Sequence, residues 1–166
     1  MPEIHKQKSA KKKILIDLDV ITVAIWDKKG TQVEIAKKFI NKVEAREFYI
    51  ISPFFLIELA LKWKYKELSE DIKEFYVRYS DKFVSDIEFK EKSKELNVNA
   101  EGIIRLLEDY DIKQEDSVLV LVTSIFNLDY LITFNRKHLK NKKEIINMVL
   151  MENGLRAIKI IGPDEI

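Results

Sequence analysis

Six side chains of this sequence have the types and the placement that phosphate chemistry uses. Asp17 and Asp19 follow the apolar run Ile14-Leu15-Ile16, Glu58 interrupts Phe54 to Leu61, Asp116 heads an apolar helix, and Thr133 and Asn135 follow Tyr130-Leu131-Ile132. Each acid alone has an ordinary explanation. Asp17 reads as a strand-end cap, Glu58 as the partner of a lysine such as Lys62, and Asp116 as a carboxylate favoured by the positive end of a helix. Together they imply more. An ionised carboxylate on a buried helix face costs several kcal/mol unless it is paired or bound to a cation, so Glu58 is expected to need a partner. Carboxylates gathered at one mouth raise one another's pKa unless a cation neutralises them, and an all-oxygen set suits Mg²⁺ or Mn²⁺. Such an ion polarises a phosphoryl oxygen and lowers the pKa of bound water, which is how metal-dependent nucleases work without a catalytic histidine.

These residues need elements to carry them. Ile14 to Ile16, Tyr49 to Ile51, Lys82 to Ser85, Tyr130 to Ile132 and Ala157 to Ile161 read as short strands. Between them lie helical stretches. One covers Val20 to Trp26, and a second opens at Thr31, where Thr31 and Glu34 have capping-box spacing. A third follows Ser52 as N-cap and Pro53 at the first helical position. Others cover Ser69 to Tyr79, Ile87 to Leu96, Gln114 to Phe126 and Lys143 to Glu152, while Gly102 to Leu107 is ambiguous. Strands alternating with helices predict an α/β fold with a mostly parallel sheet covered on both faces. In such sheets ligands bind outside the carboxyl ends of the strands, which is where Asp17, Asp19, Ser52, Thr133 and Asn135 stand.

Composition narrows the chemistry. A chain of 166 residues fits one domain, here 14–166, after a basic flexible leader at 1–13 that carries Lys6, Lys8, Lys11, Lys12 and Lys13. That leader has no apolar core of a secretory signal, and no run is long enough to span a membrane. With 29 basic and 28 acidic residues the net charge is +1, so a nucleic-acid role must come from local charge. The absence of cysteine excludes disulfides and thiolate-bound metals, and it is compatible with a cytoplasmic location. Four scattered glycines leave no phosphate-cradling loop, which removes dinucleotide and P-loop chemistry.

In order along the chain, several segments resemble the PIN-domain nucleases, a family that includes the toxins of many prokaryotic toxin–antitoxin pairs. Ile14-Leu15-Ile16-Asp17-Leu18-Asp19-Val20 is similar to the family's opening strand and acid, and Ser52-Pro53 followed by Glu58 to its second acid. Glu115-Asp116-Ser117 looks like the third acid, and Leu131 to Leu139, with Thr133, Asn135, Lys137 and His138, like the fourth position. The tail from Gly154 to Glu165 resembles the closing strand and turn. The resemblance implies a three-layer αβα PIN-like fold and an endoribonuclease using Mg²⁺ or Mn²⁺ on single-stranded RNA. In it Asp17, Glu58 and Asp116 are metal ligands, Asn135 an auxiliary one, and Asp19 and Thr133 support them. Lys62, Lys64, Arg136, Lys137 and His138 would hold phosphates, and Trp63 would stack on a base. An antitoxin protein and a second copy of the chain are the implied partners.

Two departures from the family pattern keep other readings open. Asp17-Leu18-Asp19 stands where Asp-Thr-Asn is common, and Asn135 replaces the fourth acid, keeping an oxygen but losing a charge. One alternative is a weak or inactive PIN-like module that binds RNA or protein. The other is a haloacid-dehalogenase-type phosphatase, with Asp17 as nucleophile, Asp19 as general acid and Ser52 in its second motif.

Overall fold

Short runs of aliphatic residues become strands here because both of their faces are covered, which removes the need for alternation. The computed structural model describes residues 10–63 and 65–166, so Lys6, Lys8 and Lys64 lie outside the described residues. Its first half runs β1 (Lys13–Ile16), α1 (Leu18–Trp26), α2 (Thr31–Glu44), β2 (Tyr49–Pro53), α3 (Phe54–Leu61), α4 (Lys66–Tyr79) and β3 (Lys82–Val84). The second half runs α5 (Asp86–Glu95), α6 (Ala100–Glu108), α7 (Gln114–Ile125), β4 (Tyr130–Ile132), α8 (Lys143–Glu152) and β5 (Ile160–Ile161).

All five strands are parallel, in the order β3-β2-β1-β4-β5. In the middle of the sheet Ile14, Leu15, Ile16, Leu131 and Ile132 are fully buried. Helices α1, α2, α3 and α4 pack on one another, as do α5, α6, α7 and α8, giving the three-layer αβα arrangement expected from the alternating pattern. Helix α7 packs on β1 and β4, and from Leu119 to Ile125 every side chain is buried. No helix among the described residues is long and apolar enough to cross a membrane.

Several local expectations change. Thr31 is the first residue of α2 and Gly30 precedes it at φ 129°, so no capping box forms. Pro53 ends β2 and stands before α3, which leaves Ser52 inside the strand with its hydroxyl 2.7 Å from that of Ser80. The last strand is shorter than Ala157 to Ile161 because Asn147 of α8 takes the backbone of Ile158, accepting from its N–H and donating to its C=O. Gly102 to Leu107 resolves as helix, begun by Asn99, whose side chain accepts from the Gly102 N–H. Lys13 belongs to β1 rather than to the leader: it is in register with Tyr49, and its N–H donates to Asp129 Oδ2.

Candidate acidic site at the carboxyl ends of β1 and β4

The strand order places a crevice before any side chain is considered. From β1 the chain moves outward to β2 and β3, whereas β4 and β5 lie on the other side of β1. The sense of winding therefore reverses between β1 and β4, the position where open α/β sheets bind ligands. Ile16 and Ile132 are in register there, and the Asp17 N–H donates to the Ile132 carbonyl at 2.9 Å. Asp17 and Thr133 are the next residues of two adjacent parallel strands.

A chain of hydrogen bonds joins the residues that follow these strands. The Thr133 hydroxyl is 2.8 Å from Asp17 Oδ2 and 3.3 Å from Asp19 Oδ2, and it accepts from the Asn135 N–H at 3.0 Å. Asp19, in the first turn of α1, also accepts from the Phe134 N–H at 3.1 Å. The Asn135 Oδ1 is occupied by the His138 N–H at 3.1 Å, which turns its Nδ2 toward Asp116 Oδ2 at 3.2 Å. Asn135 is therefore a donor that holds Asp116, not the oxygen ligand expected from the sequence. The backbone carbonyl of Asp111, a residue at φ 61° in the turn before α7, fixes the His138 ring through Nδ1 at 2.8 Å.

Burial and mutual repulsion make this a strained set of charges. Asp17 is 9% exposed, and burial followed by the neighbouring Asp19 pushes its carboxyl well above the ordinary range. Burial is the largest cause for Asp19 as well, raising it to about 6 against the hydrogen bonds from Phe134 and Thr133. Asp116 is raised by burial, with His138 and Lys113 pulling the other way. Among the described residues none of the three makes an ion pair. Asp19 Oδ1 is buried without a hydrogen-bond partner, and so is the hydroxyl of Ser117, the residue after Asp116.

Asp17, Asp19, Asp116 and Asn135 line one cleft of about 520 Å³, together with Glu115, Thr22 and an apolar wall that includes Leu56, Leu59 and Trp63. Glu58 does not join them. It lies on the exposed side of α3 and is absent from the cleft lining, so the expectation of a buried carboxylate needing a partner is corrected. The period of α3 explains this: Leu56 and Ala60 face inward, and Glu58 falls between them on the far side. Ser52 is also outside the lining, engaged with Ser80. Lys62, Arg136 and Lys137 are exposed, and His138 is half-buried. Arg136 lines a second cavity with Lys140, Lys143 and Glu165.

One participant has no local signal in the sequence. Tyr76 of α4 is fully buried, and its hydroxyl donates to the Ile16 carbonyl at 2.8 Å, directly before Asp17. Burial and the carboxylates of Asp17 and Asp19 hold its phenol well above the ordinary range. Its helical period marks Tyr76 as core, and only the packing of α4 on α1 brings it under the acidic residues.

Among the described residues no three acidic or imidazole side chains stand close enough together to enclose a metal by themselves. The donor chemistry nevertheless fits a hard cation held by one or two carboxylates and otherwise by water, the way Mg²⁺ is commonly bound. Desolvated carboxylates without a counter-cation and a buried carboxylate oxygen without a donor are what such an ion would relieve. Comparison with protein-family models, curated proteins and solved structures finds no match for this chain.

Proposed function

We propose that this chain is a PIN-like endoribonuclease that hydrolyses RNA phosphodiester bonds with Mg²⁺ or Mn²⁺. The observation that carries the reading is the set of three desolvated carboxylates, Asp17, Asp19 and Asp116, facing one cleft without an ion-pair partner among the described residues. A structural role alone would leave these charges an unrelieved cost, whereas a cation-binding role gives them their counter-charge. Asp17 and Asp116 would hold the ion, which when bound polarises the phosphoryl oxygen and makes bound water acidic.

The remaining residues position and shield. Thr133 orients Asp17 by donating to one of its oxygens, and Asn135 does the same for Asp116, leaving the other oxygen of each for the ion. Leu56, Leu59 and Trp63 limit bulk water on the apolar side. Arg136 and Lys137 are exposed next to Asn135 and would meet flanking phosphates. On this reading RNA is the substrate, an antitoxin protein and a second copy of the chain are the expected partners, and the cytoplasm is the expected compartment.

The test is direct. Purified protein should cut single-stranded RNA with Mg²⁺ or Mn²⁺, stop on adding chelator, and lose cutting in Asp116→Asn while remaining folded. Undiminished cleavage by folded Asp116→Asn would remove the site from the reading. One observation favours a second reading, an RNA-binding module of low activity: Asn135 presents its amide nitrogen, not an oxygen, to Asp116. Tight binding of RNA without cutting at any divalent concentration would select it. Turnover of a small phosphate ester would select the phosphatase reading, which the pairing of Ser52 with Ser80 disfavours.

A further inference from the structure

The acidic residues account for only part of the cleft. Much of the remaining wall is apolar, formed by Val23, Leu56, Leu59, Leu119 and the half-buried indole of Trp63. Trp63 stands two residues past the end of α3, and its backbone N–H donates to the Ala60 carbonyl at 3.1 Å, so the backbone that carries the indole is tied to the helix. A phosphodiester by itself has no use for an indole, whereas a nucleobase stacks on one.

The aromatic surface continues beyond the cleft. Trp26 lies on α1 one turn past Thr22 and Val23, which line the cleft, and therefore on the same helix face. Its ring centroid is 5.1 Å from that of Tyr65, and the two residues are 47% and 57% exposed. Lys62 and Lys66 flank Trp63 and Tyr65 in the chain and are exposed. Aromatic faces interleaved with lysines complement a ligand that carries flat bases on an anionic backbone.

We propose that Trp63 and the Trp26–Tyr65 pair form a stacking track for two unpaired bases of single-stranded RNA, one base inside the cleft and one at its rim. The proposal rests on the nuclease reading for the phosphodiester held between them and adds what selects the strand. Bases stacked inside a duplex have no free face to offer, so the track favours single strands over paired ones. A protein segment is the other occupant exposed aromatics can take, but it offers no phosphates to Lys62 and Lys66 and gives no reason for an indole within the acidic cleft.

The chain contains two tryptophans, Trp26 and Trp63, so tryptophan fluorescence of the full chain reports on the track. In Ca²⁺, a single-stranded RNA oligonucleotide should quench that emission, and an abasic backbone of equal length should not. Trp26→Phe and Trp63→Phe should each remove part of the quench. Trp63→Ala and Tyr65→Ala should each weaken RNA binding at least about five-fold while leaving abasic binding unchanged. Tyr65 is exposed, so its variant decides the matter even if Trp63→Ala fails to fold. Equal quenching by both oligonucleotides, or folded variants that bind RNA as tightly as the parent, would overturn the proposal. A change of oligomeric state in Tyr65→Ala with unaltered RNA binding would overturn it in favour of a protein interface. These arms read binding alone, so RNA that quenches the emission in Ca²⁺ but stays uncut when Mg²⁺ or Mn²⁺ replaces it would count against the nuclease reading and not against the track.

Discussion

The hydroxyl of Thr133 stands 2.8 Å from Oδ2 of Asp17, across a sheet position that joins residues 116 apart in the chain. The same oxygen accepts the Asn135 N–H and lies 3.3 Å from Asp19, so one hydroxyl organises three of the residues around the cleft. Thr133→Val keeps the shape and removes the donor. It should cost roughly 2 kcal/mol, since the bond is buried and its acceptor is a carboxylate. Thr133→Ser should recover most of the loss. Thermal melting of the two variants beside the parent checks both, and RNA cleavage should follow the same order.

Buried Asp17 and half-buried Asp19 and Asp116 should make the protein more stable in acid than at neutrality when no divalent ion is present. Asp19 is raised from the ordinary 3.8 to about 6, so the folded chain binds its proton more tightly than the unfolded chain does. Its contribution to stability is complete below about 3.8 and is lost as pH rises through about 6. For Asp19 this is at most about 3 kcal/mol. Asp17 and Asp116 are shifted in the same direction. In chelator at pH 7, Asp17→Asn, Asp19→Asn and Asp116→Asn should each melt a few degrees above the parent. Glu58→Gln should melt with the parent to within about 0.5 kcal/mol, because Glu58 is exposed.

Asn135 offers a test of cation binding that needs no substrate. Asn135→Asp removes the donor from Asp116 and puts a further negative charge beside it. The variant should melt below the parent in chelator. The same excess of Mn²⁺ should then raise its melting temperature by more than it raises that of the parent, because a bound ion stabilises by mass action, by an amount that grows with the logarithm of its affinity. The same addition should do little for Asp17→Asn. Differential scanning calorimetry at pH 7 measures all three.

Tyr76 supports the strand end from beneath. Tyr76→Phe leaves the buried Ile16 carbonyl without its donor and should cost about 1–3 kcal/mol. Because that carbonyl immediately precedes Asp17, the variant should also cut RNA more slowly at temperatures where it is fully folded. Urea unfolding gives the first quantity and cleavage rate at fixed RNA the second.

Much of this architecture was legible in the residues. Runs such as Ile14 to Ile16 and Tyr130 to Ile132 are strands because aliphatic residues in short parallel strands are buried on both faces. The all-apolar stretch of α7 is central because no face of it is fit for water. Asp17, Asp116, Thr133 and Asn135 were visible as polar residues at the ends of such runs. Glu58 misled, because an apolar run reads as buried all round, whereas α3 exposes Phe54, Glu58 and Leu61.

By itself the sequence determined the alternation of strand and helix, the excluded cofactor classes and the acids that follow apolar runs, since periodicity and composition are local properties. Tertiary structure alone decided that β4 lies beside β1, that the Tyr76 hydroxyl bonds the Ile16 carbonyl ahead of Asp17, and that the Asn135 amide faces Asp116 through its nitrogen. Those outcomes depend on strand order, register and competition for hydrogen bonds between residues far apart in the chain, and no short window of sequence contains both partners.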